Sequence, residues 1–194
     1  MMDTGIIILA AGNSSRLGEP KQLLSFQGKT LVRNVVEEAL KTTAYVLLVT
    51  GSNHSRISEE IKDLNVKVIE NKKWIEGMGS SINVGITELL RSFPSIKNCI
   101  ISVCDQPFLN ASVFSELIQI QKETEKGIIA SKYSETIGTP VLFTEKYFKP
   151  LQSLAGEQGA KKMIENYKDD IAEISFEMGA IDIDTQADYK NLIQ

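Results

Sequence analysis

At 194 residues and 42% hydrophobic content, the chain is long enough to bury roughly 70% of the surface its unfolded form exposes, and it needs no disulfide staple. Charged residues make up 24% and the formal net charge is −4; this composition excludes a disordered or fibrous chain and lacks the positive field that nonspecific binding to nucleic acid or an anionic membrane requires. Cys99 and Cys104 form no CxxC pair, Asp3 stands where a secretory leader would be basic, and no apolar run reaches transmembrane length, so the expectation is a soluble, cytoplasmic protein with no nucleic-acid or membrane partner.

In chain order, short β-branched runs predict strands at Ile6 to Leu9, Tyr45 to Thr50, Val66 to Ile69, Cys99 to Val103 and Ile128 to Ala130. Between them lie apolar stripes at helical spacing, one formed by Leu31, Val32, Val35, Val36, Ala39 and Leu40, a shorter one by Ile57, Ile61 and Leu64. Strands apolar on both faces and separated by helices predict an α/β fold: a Rossmann-like, doubly wound, mainly parallel sheet with helices on both faces. Beyond Tyr133 the rhythm changes. Gly138 to Pro140 lead into a run at Val141 to Phe143, and a helical stretch at Ala160 to Tyr167 follows Gly156 and Gly159. With no Pro/Ser-rich linker or repeat, residues 1–194 read as one domain whose last third extends the same sheet.

Ligands of such sheets collect at the carboxyl ends of strands, which directs attention to the loops after Leu9, Ile69 and Val103. The first reads Ala10, Ala11, Gly12, Asn13, Ser14, Ser15, Arg16, Leu17, Gly18, Glu19, Pro20, Lys21. Small residues let backbone amides approach an anion, Arg16 can clamp phosphate oxygens in a fork, and Lys21 supplies a mobile point charge. The loop matches neither GxGxxG nor a G-x-x-x-x-G-K-[ST] motif, so a P-loop ATPase is disfavoured. His54, the only histidine, has no nucleophile in a recognisable motif near it and reads as structural; a triad hydrolase and a structural zinc site lack support.

The run LAAGNSSRLGEPKQLL resembles the signature of the MobA-like nucleotidyltransferases, specifically their molybdenum cofactor cytidylyltransferase branch, and GMGSSI, CDQPFL, GTPVLF, GEQG and DIDT resemble that branch's later motifs in the same order. The resemblance implies a nucleoside triphosphate donor, CTP by preference, Mg²⁺ as cofactor, a molybdopterin-type acceptor, and transfer of a nucleotidyl group with loss of pyrophosphate; an acceptor molybdoenzyme is a further possible partner. It places Ala10, Ala11, Gly12, Asn13, Ser14, Arg16 and Lys21 on the triphosphate, Gly79, Ser80 and Ser81 near base and sugar, and the segments around Gly138 and Gly156 near the acceptor. Ser80 or Ser81 reads equally well as a helix cap.

Asp105, at the carboxyl end of the Cys99 to Val103 run, suits a Mg²⁺ ligand, because magnesium takes hard oxygen donors and needs one or two carboxylates beside phosphate and water. Asp182 and Asp184 flank Ile183, so in an extended segment both carboxylates share a face while the isoleucine points inward. By similarity to the family Asp184 is the second ligand; the competing reading is a carboxylate next to a helix start, with Thr185 and Asp188 as a capping box. Arg16, Lys21 and Asp105 are the expected catalytic residues. Base choice follows from resemblance alone: Ala11 and Pro20 match the CTP branch, whereas GTP-using relatives carry a second glycine and an aspartate there.

Overall fold

The computed structural model describes residues 3–15 and 17–193. Its strands are β1 (Thr4–Ala10), β2 (Ser25–Phe26), β3 (Lys29–Thr30), β4 (Val46–Thr50), β5 (Lys67–Glu70), β6 (Asn98–Val103), β7 (Ile128–Tyr133), β8 (Thr136–Thr144) and β9 (Ile171–Ser175). The helices are α1 (Leu31–Thr42), α2 (His54–Glu60), α3 (Met78–Ser92), α4 (Ala111–Thr124), α5 (Phe148–Gln152), α6 (Ala160–Asn166) and α7 (Gln186–Leu192). Seven strands form one sheet in the order β5-β4-β1-β6-β8-β7-β9, while β2 and β3 make a separate two-stranded ribbon. All sheet neighbours are parallel except β8, which runs antiparallel to both β6 and β7.

Successive residues of a strand point to opposite faces, and β1 shows what that demands. Ile6, Ile8 and Ala10 pack with α1, α2 and α4 residues on one side; Ile7 and Leu9 pack with Ile82, Ile86 and Leu89 of α3 and with residues of α5 and α6 on the other. Both faces are covered, so every residue of β1 is buried. Each fully buried Ile, Leu or Val contributes about 1.5–3 kcal/mol relative to exposure, which makes the twin layers the main support of the sheet. The stripe read along the first helix is α1, whose Leu31, Val32, Val35, Val36 and Ala39 are buried and whose cap, Thr30, accepts from the Arg33 amide at 3.3 Å.

The later third departs from the sequence reading in extent. The run at Val141 to Phe143 is the centre of a nine-residue strand, β8, because pairing with β7 continues past Gly138 to Thr136, across a register shift between Ala130 and Ser131. Strand β9 was not anticipated; it pairs in parallel with β7, from Ile171 opposite Ile128 to Ser175 opposite Lys132. A third apolar cluster of Leu17, Leu24, Phe26, Leu31 and Ile183, with Tyr189 and Leu192 packed against it, attaches the segment after β1 to α7. Among the described residues no helix is long and apolar enough to cross a membrane.

Candidate active site

At the carboxyl ends of β1 and β6 lies a cavity of about 350 Å³, walled by Leu9 to Asn13, Lys21 and Gln22, by Trp74, Ile75, Gly77, Met78 and Ser81, and by Val103 to Asp105 and Glu157. The loop after β1 is built so that its carbonyls are occupied from behind. Gln22, buried at 1% exposure, donates through Nε2 to the carbonyl oxygens of Ala10 (3.3 Å) and Gly12 (2.9 Å). The Ser52 amide reaches the Ala11 carbonyl at 3.4 Å, and the Ser52 hydroxyl the Gly12 carbonyl at 3.2 Å. Three peptide oxygens are thereby turned toward protein donors, and the loop can offer its amides to an anion. Gly51 makes the approach possible: a Cβ there would collide with the Ala11 carbonyl and with Trp74.

Lys21 ends the loop. Its amide donates to the Ser14 hydroxyl at 3.0 Å, which fixes its backbone, and its ammonium donates to Asp105 Oδ2 at 2.5 Å and to Asp184 Oδ1 at 3.0 Å. Burial opposes the charge on this lysine, but the Asp105 carboxylate beside it and the bonds to Asp105 and Asp184 outweigh burial and hold its pKa above the ordinary lysine value. Asp105 stands two residues beyond the end of β6. Asp184 arrives from the far end of the chain: the Ile183 amide donates to the Asp105 carbonyl at 3.2 Å, Ile183 is fully buried, and the amides of Asp184 and Thr185 both donate to the Asp188 carboxylate, at 3.2 and 2.7 Å. The capping box is present, and it orients Asp184 rather than competing with its placement.

On the other side of Asp105 a shallower recess is lined by Gln106, Tyr133, Thr139, Gly179, Ala180 and Asp182. Gln106 repeats the Gln22 arrangement, donating through Nε2 to the carbonyls of Thr139 and Gly179, each at 3.0 Å. Asp182 faces this recess, where burial and then the charges of Asp105 and Asp184 raise its pKa.

Of the residues singled out in the sequence, Ala10, Ala11, Gly12, Asn13, Lys21, Ser81 and Asp105 line the cavity, and Asp184 reaches Lys21 at its edge. Arg16 lies outside the described residues. Ser14 contributes its hydroxyl to the Lys21 backbone. Gly79 and Ser80 do not wall the cavity: Gly79 lies so close to Ala155 that a Cβ would overlap its backbone, and the Ser80 hydroxyl is engaged with the Gly77 carbonyl at 2.9 Å and the Asn71 side chain at 2.8 Å. Ser80 therefore serves the α3 start, while its neighbour Ser81, 4% exposed, accepts from Asn71 at 3.0 Å at the cavity wall. His54 bonds Thr50 at 2.8 Å, away from the cavity. Both cysteines are buried and unpaired, with the Cys104 thiol pushed up to about 12 by burial and the Asp105 charge, so neither is poised as a nucleophile.

The residues that sequence reading missed are Gln22 and Gln106, whose outer oxygens are buried without a partner among the described residues. The only sequence signal for them is position, each one residue after a charged group of the site.

A mainly parallel sheet with one reversed strand, a small-residue loop after β1, and a lysine held between acids from the loop after β6 and from the segment before α7 define an α/β protein of the doubly wound kind with its candidate site at the carboxyl ends of the strands. The chain belongs to the family described as the MobA-like NTP transferase domain, whose model matches residues 6–171. It is 24% identical over 140 residues to molybdenum cofactor cytidylyltransferase of Escherichia coli, covering 72% of this chain and 69% of that one. It is also 25% identical over 192 residues to nicotine blue oxidoreductase of Paenarthrobacter nicotinovorans, covering 92% and 91%. Among solved structures, Rv0371c of Mycobacterium tuberculosis superposes with a TM-score of 0.81 at 25% identity, covering 98% of this chain and 96% of that one; a second structure of that protein, in complex with manganese, superposes with a TM-score of 0.77 at 23% identity over 98% of each chain.

Proposed function

We propose that the protein transfers CMP from CTP to the terminal phosphate of a molybdopterin-type acceptor with release of pyrophosphate, giving a cytosine dinucleotide cofactor. The observation that carries this reading is the single ammonium of Lys21 bridging Asp105 and Asp184 at the mouth of the amide-lined cavity: positive charge and paired carboxylates converge where a triphosphate and its counter-ion would meet. The acceptor is a phosphate monoester, already anionic near neutral pH, so one of its oxygens can form the new bond to the α-phosphorus while the bond from that phosphorus to the pyrophosphate oxygen breaks, with no general base. What the protein must supply is in-line placement and charge stabilisation.

Each residue has a part in that scheme. The amides of Ala11 to Ser14, with Arg16 and Lys21, hold the β- and γ-phosphates and stabilise the departing pyrophosphate. Ser81, whose oxygen already accepts from Asn71, keeps its hydroxyl proton for base or sugar. The recess holding Asp182, Tyr133 and Thr139 receives the acceptor. Asp105 and Asp184 fit a divalent ion, Mg²⁺ by this reading: they are hard oxygen donors from different parts of the chain whose oxygens already share one cation. Bound there, the ion would screen the phosphate charge during transfer. Manganese in the Rv0371c structure supports a divalent ion of this type. Buried, unpaired cysteines suit a reducing cytoplasm, and delivery to an acceptor molybdoenzyme would follow product formation.

Guanylyl transfer is the nearer alternative, since Ala11 and Pro20 favour CTP by resemblance only. The relative named as an oxidoreductase is matched along nearly its whole length, so likeness of fold does not choose between chemistries; the cation-bridged acid pair favours phosphoryl chemistry. Thermal shift with a panel of nucleoside triphosphates and Mg²⁺, followed by pyrophosphate release with molybdopterin, tests the reading. Selective stabilisation by CTP and release of pyrophosphate are expected. Preference for GTP would move the donor, and binding without pyrophosphate release would leave a delivery protein instead of an enzyme.

A further inference from the structure

A lysine ammonium is a compact charge on a flexible stem, and at Lys21 only the stem is free to move. The backbone is tied to Ser14, and the next residue, Gln22, is clamped to the loop after β1. The ammonium lies between two carboxylates separated by 79 positions in the chain, at 2.5 Å from Asp105 and 3.0 Å from Asp184, while Lys21 lines the same cavity as Ala10 to Asn13 of the loop after β1. Phosphate oxygens entering that cavity come within reach of the same ammonium. A divalent ion needs the carboxylate oxygens that the ammonium now occupies.

On the basis of the nucleotidyltransferase reading, we propose that Lys21 is an exchangeable counter-cation: in the ligand-free protein it holds Asp105 and Asp184 in place of the metal ion, and it releases them when a triphosphate captures its charge. Nucleotide and metal then bind with positive coupling, each removing the partner that excludes the other. Linkage makes the coupling reciprocal, and couplings of this kind amount to roughly 5- to 150-fold in affinity. The arrangement also offsets half the charge of the acid pair when no substrate is present, a state in which two neighbouring carboxylates alone would repel.

The test is metal binding rather than turnover. Mn²⁺ is titrated by electron paramagnetic resonance into nucleotide-free wild type, Lys21→Met and Lys21→Gln, with folding checked by thermal melting, and CTP affinity is measured separately in EDTA. Both variants are expected to bind Mn²⁺ about tenfold or more tightly than wild type and metal-free CTP about tenfold or more weakly. These opposite signs distinguish the exchange from a structural role, which would weaken both. Mn²⁺ affinity in the variants equal to or below wild type overturns the inference even if wild type still releases pyrophosphate; wild type that binds neither Mn²⁺ nor CTP, alone or together, overturns the underlying reading as well. Should neither variant fold, the Lys21 ammonium resonance of ¹⁵N-labelled wild type decides: it is expected to shift with Mg²⁺ alone and with CTP in EDTA, and an unchanged resonance under both conditions rejects the exchange.

Discussion

The backbone amide of Ile183 donates to the carbonyl of Asp105 at 3.2 Å, so a bond between main chains, with no contribution from either carboxylate, brings Asp184 to the second residue beyond β6. The side chain of Ile183 is buried in the cluster with Leu17, Leu24 and Leu31, which locks the register. Acid placement in the site therefore depends on apolar packing as much as on charge.

Asp105 carries the first expectation. Replacing it with alanine removes charge stabilisation at the transferring group, and turnover should fall by at least about 10²-fold while the melting curve stays cooperative, because Lys21 retains Asp184. Near-normal turnover in a Mg²⁺ assay refutes the role.

The capping box should matter twice. Thr185→Ala loses the bond that Thr185 accepts from the Asp188 amide at 3.2 Å, at a cost of about 1 kcal/mol in stability, read by urea denaturation. Turnover should fall several-fold beyond what stability explains. The comparison is Asn110→Ala, which removes the cap of α4 at Ser112 and Val113, costs a similar amount, and should leave turnover unchanged; equal turnover in both variants separates Asp184 from the cap.

Gln22→Leu should strip the carbonyls of Ala10 and Gly12 of a donor. Losing these two hydrogen bonds costs about 0.5–1.5 kcal/mol each; Gly12 keeps the Ser52 hydroxyl, and the loosened loop should weaken nucleotide binding more than it slows the bound complex. A raised KM with kcat nearly retained is the expected pattern, and an unchanged KM contradicts the clamp.

At Gly51 the relevant quantity is space. Gly51→Ala drives a methyl group into the Ala11 carbonyl and the Trp74 ring, an overpacking that costs about 1–3 kcal/mol, and it should displace the loop after β1. Calorimetry should show nucleotide affinity lowered at least about tenfold; wild-type affinity would mean that the loop tolerates the shift.

Acid stability should depend on Asp170. Its carboxylate accepts from Lys146 (2.8 Å), Tyr147 (2.6 Å) and the Gly127 amide (3.0 Å), and these bonds, those of Lys146 and Tyr147 foremost, lower its pKa to about 2. A depressed folded-state pKa contributes stability that is complete above the unfolded value near 4 and is lost as pH falls toward about 2. Asp170→Asn should therefore melt a few degrees below wild type at pH 7, with the gap closing between about pH 4 and pH 2. A gap independent of pH would assign the cost to packing.

The central strands were legible in sequence because they are buried on both faces: Ile6 to Leu9 and Cys99 to Val103 offer no polar alternation to mislead. At the edges the signal failed for physical reasons. In β9, Glu173 and Ser175 are exposed and only Ile174 is buried, so its five residues lack the continuous apolar run that marks the central strands. In β8, Gly138 and Pro140 are turn formers lying within a strand, and they hid six of its nine residues. The two carboxylates were found by residue type and by resemblance, but that Lys21 holds them depends on contacts across most of the chain, which spacing does not encode. Gln22 and Gln106 went unread because an amide side chain proclaims no chemistry until its burial is known.

Asp184 reaches the cavity only through the register set at Ile183 and the turn at Thr185, and it lies beyond the span matched by the family model. The family span thus contains Lys21 and one of its two carboxylate partners, while the other is delivered by a segment outside it, held by packing at Ile183 and hydrogen bonding at Thr185.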